Sequence, residues 1–328
     1  MRRNWIAVLC LGLAIIFLVG LAQAQSIESK RAREVTCTGK VVDDQGWPLA
    51  GAKVALHEMV YGQTAYSYDT KLTGEVTTRA DGAFSFSTSA ESDVYRYGYI
   101  VAEKEGLALG FAIWRMRNGD KELQIKLGRP KELVGVVVDE NDKPVSDALV
   151  SVSILKIGEG EEQRSLGRLV AAKLFTLTTD AAGKFAFTGI PAKATAEFLV
   201  KKTGRATVST YQRTGFAGQK LKFVPGQTDI KLVLPVEAKI EGIVVEKSTG
   251  KSISGVQVMV TSEQDLPLFR PKPLISNEDG TFSIGALVSD RYILQLVPRR
   301  EGLADWVAEP VEVITEAGKT KSGIKVEL

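Results

Sequence analysis

Few residues of this 328-residue chain combine types and spacings that could carry out chemistry. The only histidine is His57, so the sequence offers neither a three-histidine zinc site nor a choice of general bases. A serine or cysteine nucleophile would have this one imidazole as its base. We predict that His57, at the end of a predicted strand, is a surface residue. We further predict that the protein is not an enzyme and has no catalytic residues, no metal site and no cofactor.

Cysteine chemistry is equally restricted. The chain has two cysteines, Cys10 and Cys37, and Cys10 falls in the predicted export signal described below. Cys37 is then left without an intrachain disulfide partner. Because it aligns with apolar residues on the inward face of the first predicted strand, we predict a buried, unreactive thiol. The alternative is a cysteine that reacts or forms an intermolecular disulfide.

Two polar patterns are similar to ligand-binding motifs. The segment TGKS, Thr249–Ser252, is similar to the end of a phosphate-binding loop, but Val245 replaces the first glycine and no helix is predicted to follow. Acidic pairs such as Asp43–Asp44 and Glu278–Asp279 could offer oxygen ligands to calcium, yet they lack the spacing of an EF-hand. All of these segments are predicted to be turns, in which Asp, Asn and Gly are preferred.

The residues best suited to recognise a ligand are tyrosines. Tyr95, Tyr97 and Tyr99 alternate in VYRYGYIVAE, so they share one face of a predicted strand whose other face aligns with core residues. We predict an exposed aromatic stripe, which Tyr66 and Tyr68 would extend. Flat apolar faces with polar tips suit stacking on a sugar or anchoring of a protein partner. The alternative is that an insert or the second repeat covers the stripe.

The elements that would position these residues come from a threefold repeat. Leu133–Ile154, LVGVVVDENDKPVSDALVSVSI, reads as an apolar strand, a polar turn and a strand of alternating polarity. The same pattern occurs in Cys37–Leu56 and in Ile240–Val260, and alignment on the glycine of the first strand brings one buried face into register. The aligned glycines are Gly39, Gly135 and Gly242, and the inward residues are Ala52, Val54, Leu56, Ala148, Val150, Val152, Val256, Val258 and Val260.

Each repeat contains a second landmark, a glycine two residues before a phenylalanine, which predicts a hairpin turn that enters a strand. The repeats predict three modules, residues 35–128, 129–235 and 236–328, each with the size and pattern of a small antiparallel sandwich. Linkers of only a few residues predict modules that are packed or semi-rigid. Inserts at 57–76, 155–174 and 261–274 are predicted to be long loops. The glycine and phenylalanine pairs are Gly82 and Phe84, Gly183 and Phe185, and Gly280 and Phe282.

Two segments of the first repeat resemble the sequence pattern of a known domain family. The frame G-x-V-V-D followed by P-L-x-G-A-x-V in Gly39–Val54, with D-G-x-F in Asp81–Phe84, resembles the carboxypeptidase regulatory-like domain, a transthyretin-like sandwich. In three tandem copies this resemblance implies an all-β chain of Greek-key sandwich modules of about seven strands each. Such modules occur as accessory domains of enzymes, surface proteins and transporters, so the family implies no particular function.

The first residues predict export. Arg2 and Arg3 precede an apolar run that ends in Ala22–Ala24, typical of a Sec-type signal peptide over residues 1–24 that is cleaved after Ala24; an uncleaved anchor is the alternative. Residues 25–34 are predicted to be a flexible leader. The remaining chain is close to neutral, which gives no reason to expect a nucleic-acid partner. We predict a periplasmic, cell-surface or extracellular monomer without a membrane span after cleavage.

The function predicted from these features is coarse. We predict a secreted, non-catalytic β-sandwich array that binds a partner or acts as a spacer at the cell envelope. Its partner would be an envelope or extracellular protein or a glycan. The alternative is an accessory subunit of a secreted hydrolase or an outer-membrane uptake system, whose catalytic or transport partner is a separate chain.

Overall fold

The computed structural model of the chain describes residues 33–61, 68–90, 96–158, 160, 163–210, 222–262, 274–297 and 309–328. Over these residues the protein is almost entirely β, and each repeat contributes one three-stranded sheet and one larger sheet. The prediction of all-β Greek-key sandwich modules of about seven strands is confirmed. The predicted signal peptide and most of the predicted leader lie outside the described residues.

The first repeat forms two sheets from seven strands in the described residues. The smaller sheet has the order β4-β1-β7 and the larger sheet the order β3-β2-β5-β6. Much of the insert predicted as a loop is extended, because β2 and β3 continue into it. The strands are β1 (Arg33–Val42), β2 (Lys53–Tyr61), β3 (Tyr68–Thr77), β4 (Ala83–Ala90), β5 (Tyr97–Glu103), β6 (Gly110–Arg115) and β7 (Lys121–Lys126), with a short 3-10 turn at Met116–Asn118.

The second repeat has the same plan with an insert of its own. Its smaller sheet has the order β12-β8-β15, and its larger sheet has the order β10-β9-β13-β14, with β11 also paired to β9. Helix α1 packs against β9 and buries Val170 and Ala171. The elements are β8 (Pro130–Val138), β9 (Leu149–Ile157), β10 (Arg164–Leu166), α1 (Arg168–Leu174), β11 (Thr176–Thr178), β12 (Lys184–Pro191), β13 (Ala194–Lys201), β14 (Val208–Ser209) and β15 (Ile230–Val233).

The third repeat completes the pattern. Its sheets have the orders β19-β16-β22 and β18-β17-β20-β21. The strands are β16 (Ala238–Val245), β17 (Gln257–Ser262), β18 (Leu274–Ile275), β19 (Thr281–Leu287), β20 (Arg291–Val297), β21 (Val311–Ile314) and β22 (Thr320–Glu327).

The smaller sheets correct one expectation, that of purely antiparallel sandwiches. The first strand of each repeat lies in the centre, antiparallel to the strand after the glycine-phenylalanine turn and parallel to the last strand. The chain thus enters its last strand from the same end of the sandwich at which it entered the first. A sequence pattern of alternating residues does not distinguish parallel from antiparallel partners.

The aligned glycine has a packing role that the structure explains. A Cβ atom at Gly39 would lie 2.5 Å from the carbonyl oxygen of Leu123 and 2.5 Å from Cζ of Phe84. Gly135 and Gly242 meet the equivalent phenylalanine ring and last-strand carbonyl in the other repeats. Glycine is therefore required, because the aromatic ring lies directly on the backbone of the central strand.

A buried hydroxyl, which sequence reasoning missed, fastens the turn between the first two strands. Thr78 Oγ1 accepts a hydrogen bond from the amide of Ala52 at 2.9 Å and donates one to the carbonyl of Leu49 at 2.6 Å. Thr179 and Ser276 make the same pair of bonds in the second and third repeats. We call these three residues the hydroxyl clasp. Each is at most 5% exposed, so the bonds are shielded from water.

By compactness the chain divides into two units. One comprises Met1–Met59, Lys71–Ala102 and Ala112–Lys126, and the other Val60–Thr70, Glu103–Phe111 and Leu127–Leu328. The second and third repeats thus belong to one unit. The module boundaries at residues 128 and 235 stay a prediction. Within the described residues, no helix has the length and apolar character needed to cross a membrane.

Candidate functional site

The predicted tyrosine stripe falls partly within the described residues. Tyr97 and Tyr99 lie on one face of β5, with ring centroids 5.9 Å apart in an edge-to-face arrangement. Tyr99 is only 8% exposed, so the exposed position expected for it is wrong. The physical reason is that Gly98–Ala102 are buried on both alternating phases, as in a strand covered on both faces.

The other predicted tyrosines give less information. Tyr97 is half-buried, and Tyr68 begins β3. Tyr66 and Tyr95 lie outside the described residues. That any of the five tyrosines binds a ligand stays a prediction. The burial of Tyr99 favours the alternative in which the face is covered.

A buried carboxylate lies on the inner face of the same sheet. Glu58 follows Val54 and Leu56 on the inward phase of β2 and is 5% exposed. Its Oε1 accepts hydrogen bonds from Thr73 Oγ1 at 3.0 Å and Thr88 Oγ1 at 3.4 Å. These partners and an ion pair between its Oε2 and the guanidinium of Arg96 satisfy the charge. The arrangement joins the two sheets of the first repeat, and we assign it a structural role.

The structure also shows the environments of Cys37 and His57, the two residues whose side chains could have supported catalysis. Cys37 is fully buried, and burial raises the pKa of its thiol to about 12, against the opposing effect of Lys121. It is therefore a protonated, inert thiol at neutral pH, as predicted. His57, predicted to be a surface residue, is half-buried on β2. Among the described residues, no three His, Cys, Asp or Glu side chains cluster closely enough to hold a metal ion.

The acidic turns have the structural role that the sequence predicted. Asp43 Oδ1 accepts the amides of Gln45 at 2.9 Å and Trp47 at 2.8 Å. Asp139 receives the matching pair of bonds in the second repeat. The amide of Lys143, followed by that of Asn141, lowers the pKa of Asp139, and the positive charge of Arg205 lowers it further. These carboxylates shape the turns through local hydrogen bonds.

A group of polar contacts lies where the second repeat meets the third. We call it the joint; it comprises Gly204–Thr207, the segment Leu234–Lys239 and Ala286. The amide of Ala206 donates to the carbonyl of Pro235 at 3.0 Å, and the amide of Thr207 donates to the carbonyl of Ala286 at 2.8 Å. The first bond lies within the second repeat, whereas the second bond, together with that from the Glu237 amide to the carbonyl of Gly204 at 3.4 Å, joins backbone groups of the two repeats directly.

Two charged side chains reinforce the joint. Glu237 Oε2 accepts the amide of Ala286 at 2.7 Å, and its Oε1 pairs with Lys239 at 3.1 Å. The Ala286 bond, followed by the influence of Lys239, lowers the pKa of Glu237. Arg205 donates to the carbonyl of Leu234 at 3.2 Å and pairs with Glu140 at 3.2 Å. Each of these contacts lies within one repeat and fixes the position of backbone groups at the joint, including Ala286, whose carbonyl accepts the Thr207 amide.

Comparison with known proteins gives a limited result. No family model matches the chain, and no curated protein matches it. Solved structures with some similarity include the TIE protein of Bacillus anthracis, with 14% identity over 91% of this chain and 51% of that one and a TM-score of 0.24. The chain spans about half the length of that structure.

Pilins are also among the similar structures. A streptococcal ancillary pilin has 15% identity over 90% of this chain and 99% of that one, with a TM-score of 0.30. A minor pilin of Streptococcus agalactiae has 16% identity over 60% of this chain and 95% of that one, with a TM-score of 0.28. With TM-scores this low, the similarities carry no argument about this chain.

Proposed function

We propose that the protein is a non-catalytic, exported β-sandwich array that acts as a spacer at the cell envelope and holds its second and third repeats at a fixed separation. The observation that carries this proposal is the joint. In a flexible tether the backbone groups would form hydrogen bonds with water. Here, amides and carbonyls of the second and third repeats form hydrogen bonds with each other.

The strength of the joint supports a rigid connection. The two backbone bonds that cross between the repeats, from the Thr207 amide to Ala286 and from the Glu237 amide to Gly204, are each worth about 1 kcal/mol. Opening the joint would therefore cost on the order of 2 kcal/mol, which corresponds to an open population of about three per cent. The second and third repeats would therefore move together as one rigid body.

The remaining features agree with an envelope role. The predicted export signal, the resemblance to the carboxypeptidase regulatory-like domain and the presence of a single histidine in the sequence all suit an accessory module outside the cytoplasm. We propose that the partner is an envelope protein or a glycan and that the protein acts as a monomer. We expect the fold to form without a metal ion, because each repeat has a hydrophobic core of its own.

Limited proteolysis tests the proposal. Trypsin can cut after Arg205, which lies in the joint, and a rigid joint predicts that this bond resists cleavage until the second repeat unfolds. As a matched control, insertion of Gly-Ser-Gly-Ser between Pro235 and Val236 should accelerate that cut at least roughly tenfold while leaving cuts elsewhere unchanged. Cleavage of the parent protein after Arg205 at the rate of an unstructured peptide would contradict the spacer role.

A further inference from the structure

One large apolar side chain in the first repeat projects into solvent from a fixed turn. Trp47 is 71% exposed, at the tip of the turn between β1 and β2. Its amide donates to Asp43 Oδ1 at 2.8 Å, and its carbonyl accepts the amide of Asp43 at 2.9 Å. The backbone that carries the indole is therefore held from both sides, so little conformational freedom would be lost if a ligand contacted the ring.

The other repeats show that the turn itself does not require an aromatic residue. Lys143 occupies the same place in the second repeat, where its carbonyl accepts the amide of Asp139 at 2.8 Å. Lys251 does so in the third repeat, where its carbonyl accepts the amide of Glu246 at 2.8 Å. Both lysines are exposed. Because the same turn forms with a well-hydrated side chain, the exposed indole of the first repeat has no structural explanation.

The surroundings of the indole are polar and acidic. The Arg79–Gly82 turn lies beside this one, since a Cβ atom at Gly82 would lie 3.2 Å from Cβ of Pro48. The two turns carry Asp43, Asp44 and Asp81 against the single cation Arg79, together with the exposed amide of Gln45. An excess of carboxylates disfavours anionic lipids and polyanions. Carboxylate and amide groups beside a flat apolar ring are suited to the hydroxyl groups and C–H face of a sugar.

We propose that Trp47 and the polar groups of these two turns form a binding site for a neutral saccharide. One indole offers at most about 250 Å² of surface, roughly the face of one or two sugar rings. A stable protein interface needs about 800 Å² from each partner, far more than this tip provides. The site is distinct from the tyrosine stripe and does not depend on the spacer function.

The test is a titration of the purified protein, with its tryptophan indole groups labelled with ¹⁵N, against cellohexaose, mannohexaose, xylohexaose and chitohexaose. At least one of these saccharides should shift the Trp47 indole resonance with a dissociation constant in roughly the millimolar range. Trp114, which is fully buried, is the internal control and should not shift. Trp47→Lys, which copies the other two repeats, should weaken binding at least roughly tenfold without a change in melting temperature. Trp47→Tyr should retain most of it.

Three results would overturn the proposal. The first is the absence of any Trp47 shift with all four saccharides up to about 10 mM. The second is a saccharide affinity that Trp47→Lys leaves unchanged. The third is a Trp47 shift that appears only with neutral phosphatidylcholine vesicles or only on raising the protein concentration, which would assign the indole to a lipid surface or to a second copy of this chain.

Discussion

The same position on the larger sheet has different surroundings in different repeats. Tyr99 of the first repeat and Glu197 of the second are 8% and 3% exposed, whereas Gln295 of the third is exposed. The inward neighbours Ile100, Phe198 and Leu296 are buried in all three. The inward phase is therefore common to the repeats, and the outward phase is where they differ. A strand pattern alone does not tell which outward face is available for binding.

The largest expected effect concerns the inward packing, which the three repeats have in common. Gly39→Ala would drive a Cβ atom into the Phe84 ring and the Leu123 carbonyl, so it should lower the free energy of unfolding by about 3 kcal/mol. Gly128→Ala is the control, because a Cβ atom there meets nothing within 4 Å. Denaturant unfolding of both variants is the measurement. Equal stability of the two would show that the ring does not pack on the glycine.

The difference in burial on the outward phase is tested by replacing each of the aligned residues Tyr99 and Gln295 with serine. Tyr99→Ser removes a buried aromatic side chain and should destabilise the first repeat by about 3 kcal/mol, whereas Gln295→Ser should change stability by about 0.5 kcal/mol or less. Thermal unfolding of each variant gives the answer. If Tyr99→Ser keeps the parent melting temperature and abolishes binding of a partner or glycan, the exposed tyrosine stripe is supported instead.

The hydroxyl clasp should have an intermediate effect. Thr78→Ala leaves the Ala52 amide and the Leu49 carbonyl without their buried partner and should cost about 1 to 2 kcal/mol. Thr78→Ser, which copies Ser276 of the third repeat, should restore most of that loss. Chemical denaturation measures both variants. A serine variant as unstable as the alanine variant would mean that the methyl group, and not the hydroxyl, matters here.

The smallest effect concerns a turn in which the repeats differ. Asp147 has a φ of 51°, where the first repeat has Gly51 at 70° and the third has Gly255 at 73°. Asp147→Gly should therefore stabilise the second repeat by about 0.5 to 1 kcal/mol, because glycine adopts this conformation without strain. Asp147→Ala retains a Cβ atom and should not stabilise it. A melting temperature that falls with Asp147→Gly would contradict this account of the turn.

Local sequence signals predicted much of the fold. The aligned glycines, the glycine-phenylalanine turns and the inward phase of the second strands were all visible as short patterns, and the inward residues from Ala52 to Val260 are buried as predicted. The burial of Cys37 was also predicted correctly, because the alternation of its neighbours shows which face of the strand its side chain is on. Signals of this kind depend on residues close in sequence.

What the sequence did not reveal depends on distant contacts. The parallel pairing of first and last strands joins residues such as Gly39 and Leu123, which no local pattern connects. Helix α1 has only seven residues, too few for a helical period to be recognised. The burial of Tyr99 depends on what covers the sheet. The joint residues Arg205 and Glu237 resemble ordinary surface charges in the sequence, and their bonds to Leu234 and Ala286 join residues that are distant in the sequence.

The most direct test of the central claim is a distance distribution across the joint. Spin labels on Lys184→Cys and Ser283→Cys would report the distance between the second and third repeats, both positions being exposed. Buried Cys37, with its thiol pKa raised to about 12, should not take up a label. A pulsed dipolar measurement at pH 7 should give one narrow distribution if the joint is rigid.

Acid should then widen that distribution. The folded state holds the pKa of Glu237 below its ordinary value of 4.5, so its contribution to the joint is complete above pH 4.5 and is lost as the pH falls through the folded pKa. Glu237→Ala should widen the distribution already at pH 7, because the carboxylate positions Ala286, whose carbonyl accepts the Thr207 amide across the joint. Glu241→Ala, at an exposed carboxylate outside the joint, should not. A broad distribution in the parent protein at pH 7 would contradict the rigid joint and the spacer function that rests on it.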